Sequence, residues 1–345
     1  MKHVKKFIVF GLCLFLIMSF VACGGSRSGA SGGTGSKTYT LHLAYSEPYD
    51  ANGSHTAAAD HMKTEIEKRT NGNVKIEIHP NEELGTETEV VEELRAGEVA
   101  LSVLSTSALS GFTDAFAWAD VPLLFASSDQ LYKFTQTNVF AARLARLDSE
   151  AGIAGLSSVC GGGRYFFTSK ASEIRSVQDM KGINIRVLPS EIAVKAVRLL
   201  GANPITLSYS ECYQSLQTGV IRGMENESAT YTIMKFYEVA PNFLDVPWLQ
   251  LLQLVVGSPK LLGELPSEYQ AIIKTVSVEA GKIGFETVEK YSNVGARETA
   301  RAGGANYIKV SDAVKKEFSD TLTPLKTEYA NLIGKDIFDW LAANP

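Results

Sequence analysis

The sequence predicts an α/β protein in two lobes, and three observations carry that expectation. Strand and helix patterns alternate through residues 40–104, and a second set of such units starts near residue 160. A long helical series after Pro266 has the length to join two bodies. At 345 residues, with 45% hydrophobic and 21% charged residues, the chain has the material for about two domains and the composition of a folded, water-soluble body.

The first set begins with Leu41, Leu43 and Tyr45 on one face of a strand, followed by Ala58, Met62 and Ile66 at helical spacing. After Asn71 and Gly72, the alternation of Val74, Ile76 and Ile78 gives a second strand. Val90, Val91 and Leu94 mark a short helix capped by Gly97, and Val99 to Leu104 form the next strand. This rhythm predicts a largely parallel sheet. In the second set, Ile183, Ile185 and Val187 share a strand face. Ile192, Ala196 and Leu200 mark a helix ended by Gly201, and Ile205 and Leu207 open another strand. Tyr269, Ile272, Val276 and Ile283 then run on toward Val294, so a helix from about 267 to 300 would be about 50 Å long.

Residues 1–22 are read apart from this body. Lys2, Lys5 and Lys6 precede an apolar stretch, Phe7 to Val21, that falls short of the roughly 20 residues a membrane crossing needs. Ala22, Cys23 and Gly24 follow, resembling a bacterial lipobox in which Cys23 is the lipidated first residue of the mature chain. The tract Gly24 to Gly35 reads as a flexible tether. Loss of the leader removes three positive charges and no negative ones, taking the net charge from −5 to −8. Such a balance argues against nucleic-acid binding. With Cys13 removed and Cys23 lipidated, Cys160 and Cys212 remain. A disulfide between them and two separately buried thiols both fit.

An enzyme would need a base beside a nucleophile, or a metal triad. The mature histidines, His42, His55, His61 and His79, all fall in the first 80 residues without His-Glu-x-x-His spacing. His55 and His61 lie six apart, on different helix faces, and read as solvated. No catalytic residue, metal or cofactor is assigned.

The ordered motifs Gly163–Lys170, Asp179–Val187, Leu200–Pro204, Ser210–Gly219 and Gly223–Asn226 resemble the core of the DctP-type solute-binding proteins of TRAP transporters. Upstream, Leu84-Gly85, Arg95 to Gly97 and Asp120–Phe125 fit the first lobe of the same family. The resemblance implies a periplasmic-binding-protein-like fold with a hinged cleft and a helix spanning both lobes. It places lobe I at 38–161 plus about 252–291, and lobe II at 162–251 plus about 292–345, behind a signal at 1–22 and a tether at 23–37. It implies a lipid-anchored extracytoplasmic receptor that closes on a small carboxylate, such as a C4-dicarboxylate or a sugar acid, and delivers it to a membrane permease. A receptor that presents its ligand to a membrane sensor has the same sequence requirements.

Site residues follow from the resemblance. Arg186 matches the arginine that makes a two-pronged salt bridge with the ligand carboxylate. Strand alternation independently sets Arg186 opposite the apolar face of Ile185 and Val187, where it must reach a cleft, an edge or a partner. Its planar, always charged fork fits a carboxylate. Arg164, after a turn at Gly161 to Gly163, corresponds to a second ligand arginine. The glycines match neither a Walker loop nor a dinucleotide fingerprint. Asn226 aligns with a cleft asparagine, although Glu227 follows it where the family usually has proline. Tyr209 falls where a ring packs over the ligand. Ser46, Glu87 and Ser105 occupy cleft-facing loop positions, and Glu211 and Glu225 would brace the arginines. Trp248 stands where relatives often carry histidine, and would shape the pocket for a bulkier or more apolar ligand.

Overall fold

A computed structural model describes residues 37–345; the leader, Cys23 and nearly all of the tether lie outside the described residues. The first lobe opens with β1 (Tyr39–Ala44), α1 (Ser54–Arg69), β2 (Val74–His79), α2 (Glu87–Ala96) and β3 (Leu101–Ser105). β1 lies between β2 and β3 and is parallel to both. A Thr86/Glu89 capping box starts α2, and Gly97 at φ +82° ends it, a left-handed position that suits glycine. Helices α3 (Ser128–Thr135) and α4 (Asn138–Ala151) then lead into β4 (Ala154–Thr168).

The second lobe holds β5 (Asn184–Val187), α5 (Glu191–Leu199), β6 (Asn203–Thr206), α6 (Cys212–Thr218), β7 (Gly223–Glu227), α7 (Ser228–Ile233) and β8 (Asn242–Leu244). The chain returns through β9 (Leu249–Gly257), α8 (Pro259–Gly263) and α9 (Ser267–Lys290). A π-helical turn at Tyr291–Gly295 joins α9 to α10 (Ala296–Ala302), and β10 (Asn306–Ile308) pairs with β8. The predicted long helix is thus present with one π turn in it.

All ten strands of the described residues belong to one sheet, ordered β2-β1-β3-β9-β4-β7-β5-β6, with β8 on β4 and β10 on β8. The expected largely parallel sheet needs correction. Pairing is parallel within each lobe, but β9 runs antiparallel to β3 and β4, and β4 runs antiparallel to β7 and β8. β4 changes partners along its length, pairing with β9 through Arg164 and with β7 from Arg164 to Thr168, so one strand carries both lobes. The three glycines expected to form a turn lie inside β4, where the register slips between Cys160 and Gly162 and Gly162 takes φ +96°.

Apolar clusters lie on both faces of the sheet in each lobe. In the first, Met62, Ile66, Leu43, Val103 and Val276 pack under α1 and α9, and Trp118, Phe116 and Phe134 pack on the other side. α9 sits close because it presents glycine: a Cβ on Gly281 would stand 2.1 Å from the Ser158 carbonyl oxygen. In the second lobe Ile185, Val187, Ala196 and Phe318 form one cluster, and Phe167, Tyr231, Phe236 and Phe243 the other. The last helix, Lys335–Ala343, adds Ile337 to the first lobe's core and sets the Trp340 ring against Phe125 and Phe134. Cys160 and Cys212 are free thiols buried in different clusters.

Candidate functional site

The ends of β1 and β3, the start of α1 and α2, the middle of β4 and β9 and the ends of β5 and β7 converge on one cavity. It encloses about 70 Å³. One water needs about 10–15 Å³ by this measure, so the space fits a few waters or one small metabolite.

Arg186 enters from β5, whose Ile185 and Val187 are fully buried on the opposite face. Arg186 as a whole is 4% exposed. Its Nε and Nη2 donate to the Leu207 carbonyl at 3.3 and 3.1 Å. Among the described residues no carboxylate pairs with it.

Arg164 enters from β4 and is differently held. Across the β4–β7 ladder its Nε donates to Glu225, and its Nη2 donates to Glu225 Oε1 at 3.0 Å and to the Glu225 carbonyl at 2.9 Å. Its Nη1 donates to Glu227 Oε1 at 2.5 Å. Burial opposes its charge, but Glu225 and Glu227 outweigh burial and push its pKa up. Burial also lifts the Glu227 carboxyl above the usual range despite Arg164, and Glu227 Oε2, buried beside the cavity, has no hydrogen-bond partner among the described residues.

The first lobe contributes mainly acceptors. Glu87 Oε1 accepts from Ser46 Oγ and from the Ser105 amide, both at 3.1 Å, and its Oε2 from Ser105 Oγ. Glu47 Oε2 lies 3.0 Å from His55 Nδ1, and its Oε1 accepts from Thr230 Oγ1 of the second lobe at 2.8 Å. Burial resists charge on this pair, yet mutual attraction prevails: His55 is held above its ordinary value and Glu47 below its own. Gln253 Nε2 lies 2.9 Å from His55 Nε2, and the Tyr45 ring stacks on the imidazole.

Two more contacts join the lobes. Glu82 accepts the amides of Tyr209 at 3.1 Å and Ser210 at 3.0 Å, and Ser110 Oγ donates to the Pro189 carbonyl at 2.7 Å. Asn81 and Glu82 both sit at left-handed φ, +58° and +57°, so the loop spends backbone strain to aim that carboxylate.

Of the residues expected at the site, Arg186, Arg164, Asn226, Tyr209, Ser46, Glu87 and Ser105 line this cavity. Glu225 lies behind it on Arg164. Asn226 Oδ1 accepts the Glu227 amide, and its Nδ2 donates to Tyr209 Oη at 3.5 Å. Two assignments need correction. Trp248 does not line the cavity: it is buried in the second lobe's core against Phe166, and its amide donates to the Arg164 carbonyl. Glu211 braces neither arginine; its Oε2 accepts from Ser208 Oγ and the Ser208 amide just before α6. A third correction is His55, read as solvated but only 2% exposed. Sequence reasoning missed Glu47, His55, Glu82, Glu227 and Gln253. Gln253 had a signal, being the one polar residue within the apolar run Leu251–Val256.

Among the described residues no helix is long and apolar enough to cross a membrane. The family model of bacterial extracellular solute-binding proteins, family 7 (DctP), matches residues 46–332. A solute-binding protein of Sulfitobacter sp. strain NAS-14.1 is 30% identical over 78% of this chain and 81% of its own. A TRAP periplasmic solute-binding protein of Shewanella oneidensis, solved with bound succinate, superposes with a TM-score of 0.83 at 23% identity, covering 89% of this chain and all of that one. One from Pseudomonas putida F1, solved with bound D-glucuronate, gives 0.81 at 25% identity, covering 89% and 98%. With the two-lobed sheet and its inter-lobe cavity already in place, the match over most of the sequence makes this chain a member of the DctP family of bacterial extracellular solute-binding proteins.

Proposed function

We propose that the chain is the extracytoplasmic receptor of a TRAP-type transporter, closing on a small organic acid and handing it to the membrane permease. Lipidation at Cys23 and the tether behind it would hold the receptor at the membrane. The observation that carries the reading is Arg186: a buried residue between two lobes whose guanidinium, among the described residues, bonds a backbone carbonyl and no carboxylate, beside a cavity of metabolite size. A ligand carboxylate supplies the counter-charge in bidentate geometry.

The rest of the lining favours a hydroxylated monocarboxylate of the sugar-acid class over a C4-dicarboxylate. Arg164 is already neutralised by two glutamates. Glu47, Glu87 and Glu227 line the cavity around it, and these carboxylates accept from hydroxyls but repel a second carboxylate. The two solved neighbours named above carry an acid of each kind, succinate and D-glucuronate.

A thermal-shift panel of uronates, aldonates and C4-dicarboxylates on the mature protein tests this. A ligand at 100 times its Kd stabilises by about 2.7 kcal/mol. Sugar acids are expected to raise the melting temperature most. A shift with dicarboxylates alone would reject the sugar-acid reading, and no shift with any acid would reject the receptor reading.

A further inference from the structure

We propose that His42, Glu77 and His79, on the outer edge of the first lobe, form a binding site for a divalent transition-metal ion of the zinc class. The site is separate from the cleft and independent of the ligand assigned to it.

Strand pairing makes the cluster. β1 and β2 run parallel with His42 directly opposite Glu77, and His79 lies two residues beyond Glu77 on β2, so the three side chains share one face of the sheet. Leu41, Leu43, Val74 and Ile76 occupy the other face, in the core. β2 is the edge strand, His42 and His79 are part-exposed and Glu77 is exposed, which gives an ion a direct path and leaves coordination positions for water.

The ligand atoms already converge. His42 Nδ1 and His79 Nε2 stand 2.9 Å apart, Glu77 Oε2 is 3.5 Å from His42 Nδ1, and one ligand atom from each residue lies within 4.8 Å of the others. A tetrahedral zinc ion with bonds of about 2.0–2.1 Å separates its ligands by about 3.4 Å, so the ring nitrogens need to part by only a few tenths of an ångström.

A second carboxylate stands on the far side of the His79 ring. Glu83 Oε2 stands 3.5 Å from His79 Nδ1, the ring nitrogen facing away from the cluster. A proton held there leaves a lone pair on Nε2 aimed at His42, the carboxylate–histidine arrangement that orients and strengthens an imidazole ligand. Two imidazoles and one carboxylate suit zinc, copper, nickel or cobalt, whereas calcium and magnesium prefer oxygen sets. The primary structure hides the site because 34 residues separate His42 from Glu77, and only the β1–β2 pairing joins them.

The test is calorimetric titration of the tag-free mature protein with zinc chloride, alongside magnesium chloride. One saturable zinc site is expected and none for magnesium. His42→Ala and His79→Ala should each weaken zinc about 10–100-fold, with Glu77→Gln affected in the same direction. His61→Ala, at a different surface position, should leave the titration unchanged. Unaltered melting temperatures in these variants would show that the fold persists. The proposal is overturned if zinc gives no saturable heat, or if the doubly substituted His42→Ala, His79→Ala protein binds zinc as tightly as the parent.

Discussion

Arg164 and Arg186 reach the same cavity from neighbouring parts of one sheet, but Arg164 is neutralised by Glu225 and Glu227 while Arg186, among the described residues, bonds only the Leu207 carbonyl. Their positions explain the difference. Arg164 on β4 faces β7 across an antiparallel ladder that sets Glu227 opposite it and Glu225 two residues before. Arg186 on β5 lies opposite Met224 of β7 and Ile205 of β6, neither of which can balance its charge. One arginine therefore supports the site, and the other is available to a ligand.

Arg186→Ala should abolish binding of the acid ligand found by thermal-shift screening, weakening it at least about 100-fold, the loss of two charged hydrogen bonds at about 1.5–3 kcal/mol each. Arg186→Lys keeps a point charge without the fork and should retain part of the affinity. Calorimetry reads both. Because Arg186 has no carboxylate partner among the described residues, the melting temperature of the free protein should change little. Unchanged affinity in Arg186→Ala would remove this residue from the site.

Arg164 should behave in the opposite way. Glu225→Ala leaves a buried guanidinium with one carboxylate in place of two, and breaking a buried pair costs about 3–5 kcal/mol. Urea unfolding of the free protein should show a loss of that order. A loss below about 1 kcal/mol would mean that Glu227 alone suffices.

How much of this was legible in the sequence depended on whether a feature is local. Alternation placed Arg186 away from Ile185 and Val187, and helical spacing with Gly97 gave α2 and its cap. Long-range pairing was hidden. The bracing of Arg164 by Glu227 follows from the β4–β7 register, and His55 meets Gln253 of β9 across 198 residues of chain. Trp248 was misplaced for the same reason: its position in the chain is next to β9, which lines the cavity, but its ring turns into the second lobe's core. The glycines before Arg164 read as a turn because no local signal separates a turn from a bulge within a long strand.

Glu82 closes the cleft by accepting two amides of the opposite lobe. Glu82→Ala should shift the ligand-free protein toward the open form and weaken ligand binding about 5–30-fold, the cost of about 1–2 kcal/mol in the closed state. Small-angle scattering of the free protein separates this from a direct ligand contact, since a latch raises the radius of gyration without ligand. An unchanged radius would assign Glu82 to ligand contact and not to closure.

Asp120 sets a pH dependence that can be isolated. Burial lifts its carboxyl to about 6, with hydrogen bonds from Ser107 and Ser190 and the charge of Arg164 only partly offsetting it; the Ser107 hydroxyl donates to Oδ1 at 2.6 Å. A raised folded pKa means that the unfolded chain, ionising near 3.9, releases its proton first. The contribution of Asp120 to stability is therefore complete below about pH 4 and is lost as pH rises through about 6. Asp120→Asn keeps an acceptor for Ser107 and cannot ionise. It should leave stability nearly unchanged at pH 4 and raise it by on the order of 2–3 kcal/mol at pH 8. The difference in unfolding free energy between the two proteins, followed from pH 4 to 8, cancels the other titrating groups; a flat difference would show that Asp120 ionises at its ordinary pKa in the folded state.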